Sequence, residues 1–318
     1  MLNPESLALT DHLLFSRNSD TAGDRNEFYK RVHRGELVQV IRGVFMEAAI
    51  WNSFDRHARY RFGAVAVAAR SENPLVFSHA SAAAMWRLPR VGSWPQKHHV
   101  VSDVAAGGRS SSIVVRHTVG LPADTVVIDG VEVTSLARTV VDIAATHSFG
   151  EGVTAADAAL RRTAFPHSEV PRTFLSRSAL ITELASVDVH HGSARAQRTI
   201  DFADGLADRP GESLSRVNMH LARITPPQLQ VVLYGASGRR YIVDFWWPEF
   251  NVIGEFDGRF KYSDPGFMRG RTSHQVLLDE KFREDDLRAT GRGFTRWDMP
   301  IAASPIALRD HLIRAGVR

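Results

Sequence analysis

The stretch "RRYIVDFWWPEFNVIGEFDGRFKY", residues 239–262, sets Asp244, Glu255 and Asp257 in a run that is otherwise apolar and aromatic. Residues 239–247 read as one strand and 252–257 as a second, with Pro248 breaking the chain between them. Side chains alternate along a strand, so Ile253, Glu255 and Asp257 share one face while Val252, Gly254 and Phe256 take the other. If the two strands form a hairpin, Asp244 approaches the acidic face, and Gly258 permits a sharp departure beyond it.

Hard oxygen ligands beside a basic side chain are what metal-dependent phosphodiester hydrolysis requires. A divalent cation such as Mg2+ or Mn2+ activates a water and stabilises charge on the scissile phosphate. Asp244 and Glu255 are the leading ligands. Glu212 lies in the first turn of a helix that Pro210 opens in "ADRPGESLSRVNMHL", where Leu214, Val217 and Leu221 form an apolar stripe. It completes or orients the site from there. Asp257 is a further ligand or holds a metal-bound water, and Lys261 or Lys281 stabilises the developing phosphate charge.

The bland alternative is equally concrete. A carboxylate in a first helical turn is favoured by the helix dipole, and acids at a sheet edge pair with bases. The helix "QVLLDEKFREDDLRATG", residues 275–291, mixes acids and bases ahead of the strand "FTRWDM". Such a mixture serves as a phosphate-contacting face or as ordinary solvated surface. Trp246 and Trp247 read as core beside the sheet rather than as a docking feature.

Nearer the N-terminus, "DRNEFYKRVHRGELVQVIRGVF", residues 24–45, passes from helical spacing through Gly35 into alternation. The order is helix, turn, wing, and Arg25, Lys30, Arg31, Arg34 and Arg42 cluster there as candidate contacts to DNA phosphates. Residues 54–70 and "SHASAAAMWRL" are expected helices, the second entered through a serine cap. "HHVVSD", "SIVVRH" and "VVIDGVEVTS" alternate as short strands. "SLARTVVDIAATHSF" and "GVTAADAALRR" follow as helices, with Arg138 and Asp142 spaced to pair across one turn. His79 is given a structural role, because no acid or second histidine stands at a recognisable spacing. "AFPHSEVP", residues 164–171, reads as a linker, followed by the basic residues Arg172, Arg177, Arg195 and Arg198.

The chain of 318 residues is 44% hydrophobic and 23% charged, enough to bury two or three cores. Its 39 basic and 35 acidic residues give a formal charge of +4, which permits nucleic-acid contact without demanding it. The lack of cysteine excludes disulfides, thiolate catalysis and cysteine-ligated zinc, and fits a cytoplasmic protein. The start "MLNPESLALTDHLLF" lacks a signal-peptide pattern and "FGAVAVAA" is too short to cross a bilayer, so a soluble protein with no membrane contact is expected.

The C-terminal motifs "RPGES", "YIVDFWWPEFNVIGEFDGRFKY", "EKFREDDLRATG" and "FTRW" resemble the Vsr-like branch of the PD-(D/E)xK nuclease superfamily over roughly residues 205–300. The resemblance implies a restriction-endonuclease-like α/β core with Glu212 as the helix acid, Asp244 as the strand acid and Glu255 as the next-strand acid. Asp257 stands where the familiar pattern has lysine, so Lys261 or Lys281 would substitute. In the front half, "YKRVHRGELVQVIRGVF", "FSHASAAAMWRLP" and "VTSLARTVVDIA" resemble the AbiEi-type antitoxin and transcriptional-regulator family. That likeness implies DNA binding, autoregulation and a cognate toxin.

The combined expectation is an α/β multidomain chain. Residues 1–50 form a winged helix, 51–163 a mixed α+β middle domain, 164–204 a helical linker region and 205–318 the restriction-endonuclease-like domain. The expected function is DNA binding with metal-dependent cleavage. The alternative is a regulator or antitoxin whose nuclease-like domain is inactive. The sequence does not fix an oligomeric state.

Overall fold

The computed structural model describes residues 9–16, 22–102, 110–119, 122, 124–161, 175–187, 192–207, 209–258 and 273–318. Lys261, Arg172 and the linker expected at 164–171 lie outside the described residues. The chain divides into two compact units, one of residues 1–148 and 162–202, the other of residues 149–161 and 203–318.

The first unit opens with β1 (Leu14–Phe15), α1 (Ala22–His33), β2 (Leu37–Ile41) and β3 (Val44–Glu47), the strands forming an antiparallel sheet in the order β1-β3-β2. The helix-to-hairpin order expected for residues 24–45 is therefore present, with β3 running two residues further. The hairpin turns at Arg42 and Gly43, where φ is +80°, a conformation that glycine reaches without the Cβ clash. α2 (Ala48–Ser53) and α3 (Arg56–Arg70) follow. Asp55 starts α3 by accepting from the Ala58 N–H at 2.7 Å. The helix is buried continuously from Tyr60 to Val67, which its run of alanine and valine permits.

A five-stranded sheet comprises β4 (Val76–Phe77), β5 (His98–Val101), β6 (Val114–His117), β7 (Thr125–Ile128) and β8 (Val131–Thr134), in the order β6-β5-β4-β8-β7. The helices α4 (His79–Met85), α5 (Leu136–Thr146), α7 (Arg177–Ser186) and α8 (Ser193–Phe202) belong to the same unit. Ser78 precedes α4 as expected but does not cap it, because its Oγ lies 2.9 Å from His79 Nδ1 instead of meeting a helical N–H.

His79 has the acidic and histidine neighbours that sequence spacing hides. Its ring stacks on His117 at a centroid distance of 3.7 Å, and Asp142 Oδ2 is 3.6 Å from its Nδ1. Asp142 in turn accepts from Arg138 Nε at 2.9 Å, the expected pair across one turn, here buried. His117 Nε2 lies 2.9 Å from His99 Nδ1. Burial holds the His79 imidazole well below its ordinary range, and burial together with the charge His117 would carry lowers His99 to about 4. Burial raises the Asp142 carboxyl to about 6 against the pull of Arg138.

The second unit contains α6 (Phe149–Arg161), α9 (Pro210–Leu221), β9 (Gln228–Tyr234), β10 (Arg240–Trp247), β11 (Val252–Phe256), α10 (Ser273–Arg288), β12 (Gly293–Trp297), α11 (Met299–Ala302) and α12 (Pro305–Arg314). The sheet order is β12-β11-β10-β9, antiparallel from β9 through β11 and parallel between β11 and β12. The two strands read from residues 239–257 thus form the expected hairpin, with Phe245 opposite Gly254 and Trp247 opposite Val252.

One face of this sheet buries Phe245, Trp247, Phe256 and Trp297 with Met219 of α9 and Leu308 and Leu312 of α12. The other packs Val243, Ile253 and Phe294 against Leu287 of α10. This is a helix–sheet–helix layering in a mixed α/β chain. Trp247 is core, as expected, and its Nε1 donates to the Thr225 carbonyl at 2.7 Å. Leu214 and Val217 are buried, but Leu221 is 53% exposed. The apolar stripe of α9 therefore stops short of its last turn, where the helix closes at Ala222.

Candidate functional site

Glu212 reaches the sheet because Gly211 precedes it. A Cβ at Gly211 would stand 2.0 Å from Phe256 Cζ, so only glycine lets the first turn of α9 close on the end of β11. Pro210 begins the helix and leaves Glu212 in its first turn, buried to 3% exposure. There Glu212 Oε2 accepts from Gln230 Nε2 at 3.1 Å. The same nitrogen lies 3.4 Å from Asp244 Oδ1, and Asp244 Oδ2 accepts from the Phe256 N–H at 3.0 Å.

The strand geometry explains how Asp244 arrives. Val243 packs in the cluster under α10 and Phe245 in the cluster under α9 and α12, although both have the same parity. Regular alternation is therefore interrupted at Asp244. Gln230 on the neighbouring strand has φ +50°, a local distortion of the same region. Glu212 and Asp244 are thus brought together through one amide.

Glu255 is engaged elsewhere. It is 4% exposed, its Oε1 lies 2.6 Å from Arg283 Nη1 and its Oε2 lies 3.1 Å from Arg296 Nη2. The Arg283 contact is close without satisfying hydrogen-bond geometry at Oε1, so it is ionic rather than directional. Arg296 also lies 3.6 Å from Glu280 and 3.5 Å from Glu284. Burial lowers the Arg296 pKa, yet Glu255, Glu280, Glu284 and Asp257 outweigh it and the guanidinium is held above its ordinary value.

Asp257 donates its backbone N–H to the Trp297 carbonyl at 2.7 Å, and its Oδ1 is buried with no hydrogen-bond partner among the described residues. Lys281 is exposed on α10. Among the described residues, no three His, Cys, Asp or Glu side chains are arranged to hold one metal ion. Of the three expected carboxylates, Glu212 and Asp244 meet at Gln230 Nε2, while Glu255 faces Arg283 and Arg296.

Gln230, Arg283 and Arg296 are the members that sequence reasoning missed. Arg283 was legible, since it stands one helical turn before the sheet-facing Leu287 and so shares its face. Gln230 was not, because its role depends on the irregularity opposite Asp244.

In the first unit, Lys30 and Arg31 of α1 and Arg34 just beyond it are paired with acids. Arg34 lies 2.9 Å from Glu27 and 2.7 Å from Glu36, Arg31 lies 3.3 Å from Glu36 and 3.5 Å from Glu47, and Lys30 lies 3.9 Å from Glu27. These are solvent-exposed pairs that contribute little to stability, but they offset the positive charge of the helix. Arg25 and Arg42 are exposed.

No family model matches the chain. Two Mycobacterium tuberculosis proteins are similar to it, the uncharacterized protein MT2308 of strain CDC 1551 / Oshkosh and the uncharacterized protein Rv2248 of strain ATCC 25618 / H37Rv. Each is 28% identical over 105 residues, which is 33% of this chain and 39% of the relative. The chain thus spans well under half the length of the curated relatives it matches. No helix among the described residues is long and apolar enough to cross a membrane.

Proposed function

We propose that the chain is a cytoplasmic DNA-binding regulator or antitoxin of the AbiEi type whose nuclease-like C-terminal domain binds without turnover. Residues 1–50 act as a winged helix, with α1 and the β2–β3 hairpin meeting the duplex, and residues 205–318 carry the restriction-endonuclease-like scaffold. The observation that carries the choice between binding and cleavage is Glu255. Both of its oxygens face guanidinium groups, so the next-strand acid serves a buried ion-pair network instead of a metal.

This reading is tested by competition binding with duplexes from the chain's own promoter region against random duplex at fixed salt. A selective, salt-dependent complex supports it. Equal affinity for all duplexes, or none, contradicts it.

A second reading, a Mg2+- or Mn2+-dependent DNA endonuclease, is favoured by one observation. Glu212 and Asp244 converge on Gln230 Nε2, placing two hard carboxylates at one point. It is tested by Mn2+-dependent cleavage that disappears in Asp244→Asn with the fold intact.

A further inference from the structure

A groove of 310 Å³ in the first unit runs between the tip of the β2–β3 hairpin and the edge of the five-stranded sheet. Arg42 contributes from the hairpin turn, Arg70 from the last residue of α3 and Arg116 from the edge strand β6, while Ser111 and Ser112 line the approach to β6. Val67 and Leu75 give it an apolar floor. No carboxylate is among the described residues that line it. Glu72 lines a separate recess that shares Arg70.

The charge balance here is opposite to that of α1. Lys30, Arg31 and Arg34 are met by Glu27, Glu36 and Glu47, whereas the three groove arginines come from separate elements with no side-chain acceptor among the described residues. Three guanidiniums sharing a concave surface repel one another unless an anion joins them. Planar, multidentate donors of this kind match phosphate oxygens, and serine hydroxyls add neutral donors of the sort that hold sugar–phosphate backbone.

We infer that the Arg42–Arg70–Arg116 groove is a phosphate-backbone track for DNA, carrying the duplex from the hairpin tip onto the middle sheet. The inference rests on the DNA-binding reading and adds Arg70 and Arg116 to the contact surface. A contact confined to phosphates positions the duplex without reading its sequence, so it strengthens selective and random complexes alike.

The test is fluorescence anisotropy with a 30-bp duplex across a KCl series, using the full chain and the variants Arg70→Gln, Arg116→Gln, their double variant, and the double lysine variant. The slope of log K against log[KCl] is expected to lose ~0.9 per glutamine substitution and ~1.8 in the double variant, for specific and random duplex alike, with the lysine variant close to wild type. Circular dichroism melting confirms that each variant is folded. An unchanged slope in a folded double variant overturns the inference while leaving the DNA-binding reading intact. Absence of duplex binding by the wild type overturns both. If inorganic phosphate raises the melting temperature of the wild type but not of the double variant, and the duplex slopes are equal, the groove is a free-anion site and the inference falls.

Discussion

Arg283 closes on Glu255 at 2.6 Å, placing a guanidinium from α10 against a carboxylate from the central part of the sheet. Both carboxylate oxygens are committed, since Arg296 holds the other at 3.1 Å from β12. The acid therefore joins β11 to the elements on either side of it, and its charge is offset within the protein.

Breaking that network strips a buried carboxylate of two guanidinium partners. The double substitution Arg283→Ala and Arg296→Ala is expected to destabilise the second unit by ~3–5 kcal/mol in urea unfolding. Adding Glu255→Gln to the same chain should recover a large part of the loss, because the uncompensated charge is gone. Equal loss with and without that third change would show that packing, not charge, explains the cost.

Gly211 offers a steric test. An alanine there puts a methyl group against the Phe256 ring, so Gly211→Ala is expected to cost ~1–3 kcal/mol. Trimming the ring in Gly211→Ala/Phe256→Leu should be less costly than the two single changes added together. Additive losses measured by chemical denaturation would contradict the packing described for α9 and β11.

The pH dependence of the first unit follows from its buried imidazoles. His98 stacks on Tyr60 at 4.7 Å and lies against Gly63, and burial lowers it from 6.5 to about 4. The unfolded chain takes up this proton near pH 6.5 while the folded chain resists until about 4, so stability is intact above 6.5 and falls between these values. The full difference for this site is ~3 kcal/mol. His79, His99 and His117 act in the same direction. Asp142, raised to about 6 from 3.8, acts in the opposite one because the folded state binds its proton first. His98→Phe, which keeps the ring stack and removes a buried nitrogen with no hydrogen-bond partner among the described residues, should flatten the acid limb of thermal melting. An identical acid limb in the variant would contradict this assignment.

The carboxylates beside α1 should restrain DNA binding. Converting Glu27 and Glu36 to glutamine releases Lys30 and Arg34 from their partners, leaves Arg31 with Glu47 alone, and removes two negative charges from that face. Duplex affinity at 100 mM KCl is expected to rise ~3- to 10-fold, with a steeper salt slope. Unchanged affinity would mean that this face of α1 does not meet the duplex.

The hairpin of the decisive stretch was legible because its signals were local. Strand-like residues flanked the break at Pro248, and the shared face of Ile253 and Glu255 appears in their common approach to α10. The Arg138–Asp142 pair was readable for the same reason, one helical turn fixing the distance. What remained hidden depends on tertiary placement. His79 meets His117 and Asp142 only when β6 and α5 assemble beside α4. Glu212 meets Asp244 through Gln230, whose left-handed backbone no sequence period announces. Spacing could nominate Glu255 as a ligand, but it could not show that two arginines from other elements would claim both oxygens.

The most direct measurement is incubation of a saturating amount of the full chain with labelled duplex in 5–10 mM Mg2+ and, separately, Mn2+, a concentration range of roughly that order being ample for weak hard-ligand sites. Bound fraction is read by native gel and strand integrity by denaturing gel. The account predicts a protein–DNA complex whose strands remain intact in both metals. Strand products that form with the wild type and vanish with folded Asp244→Asn or Glu212→Gln would contradict it and establish cleavage.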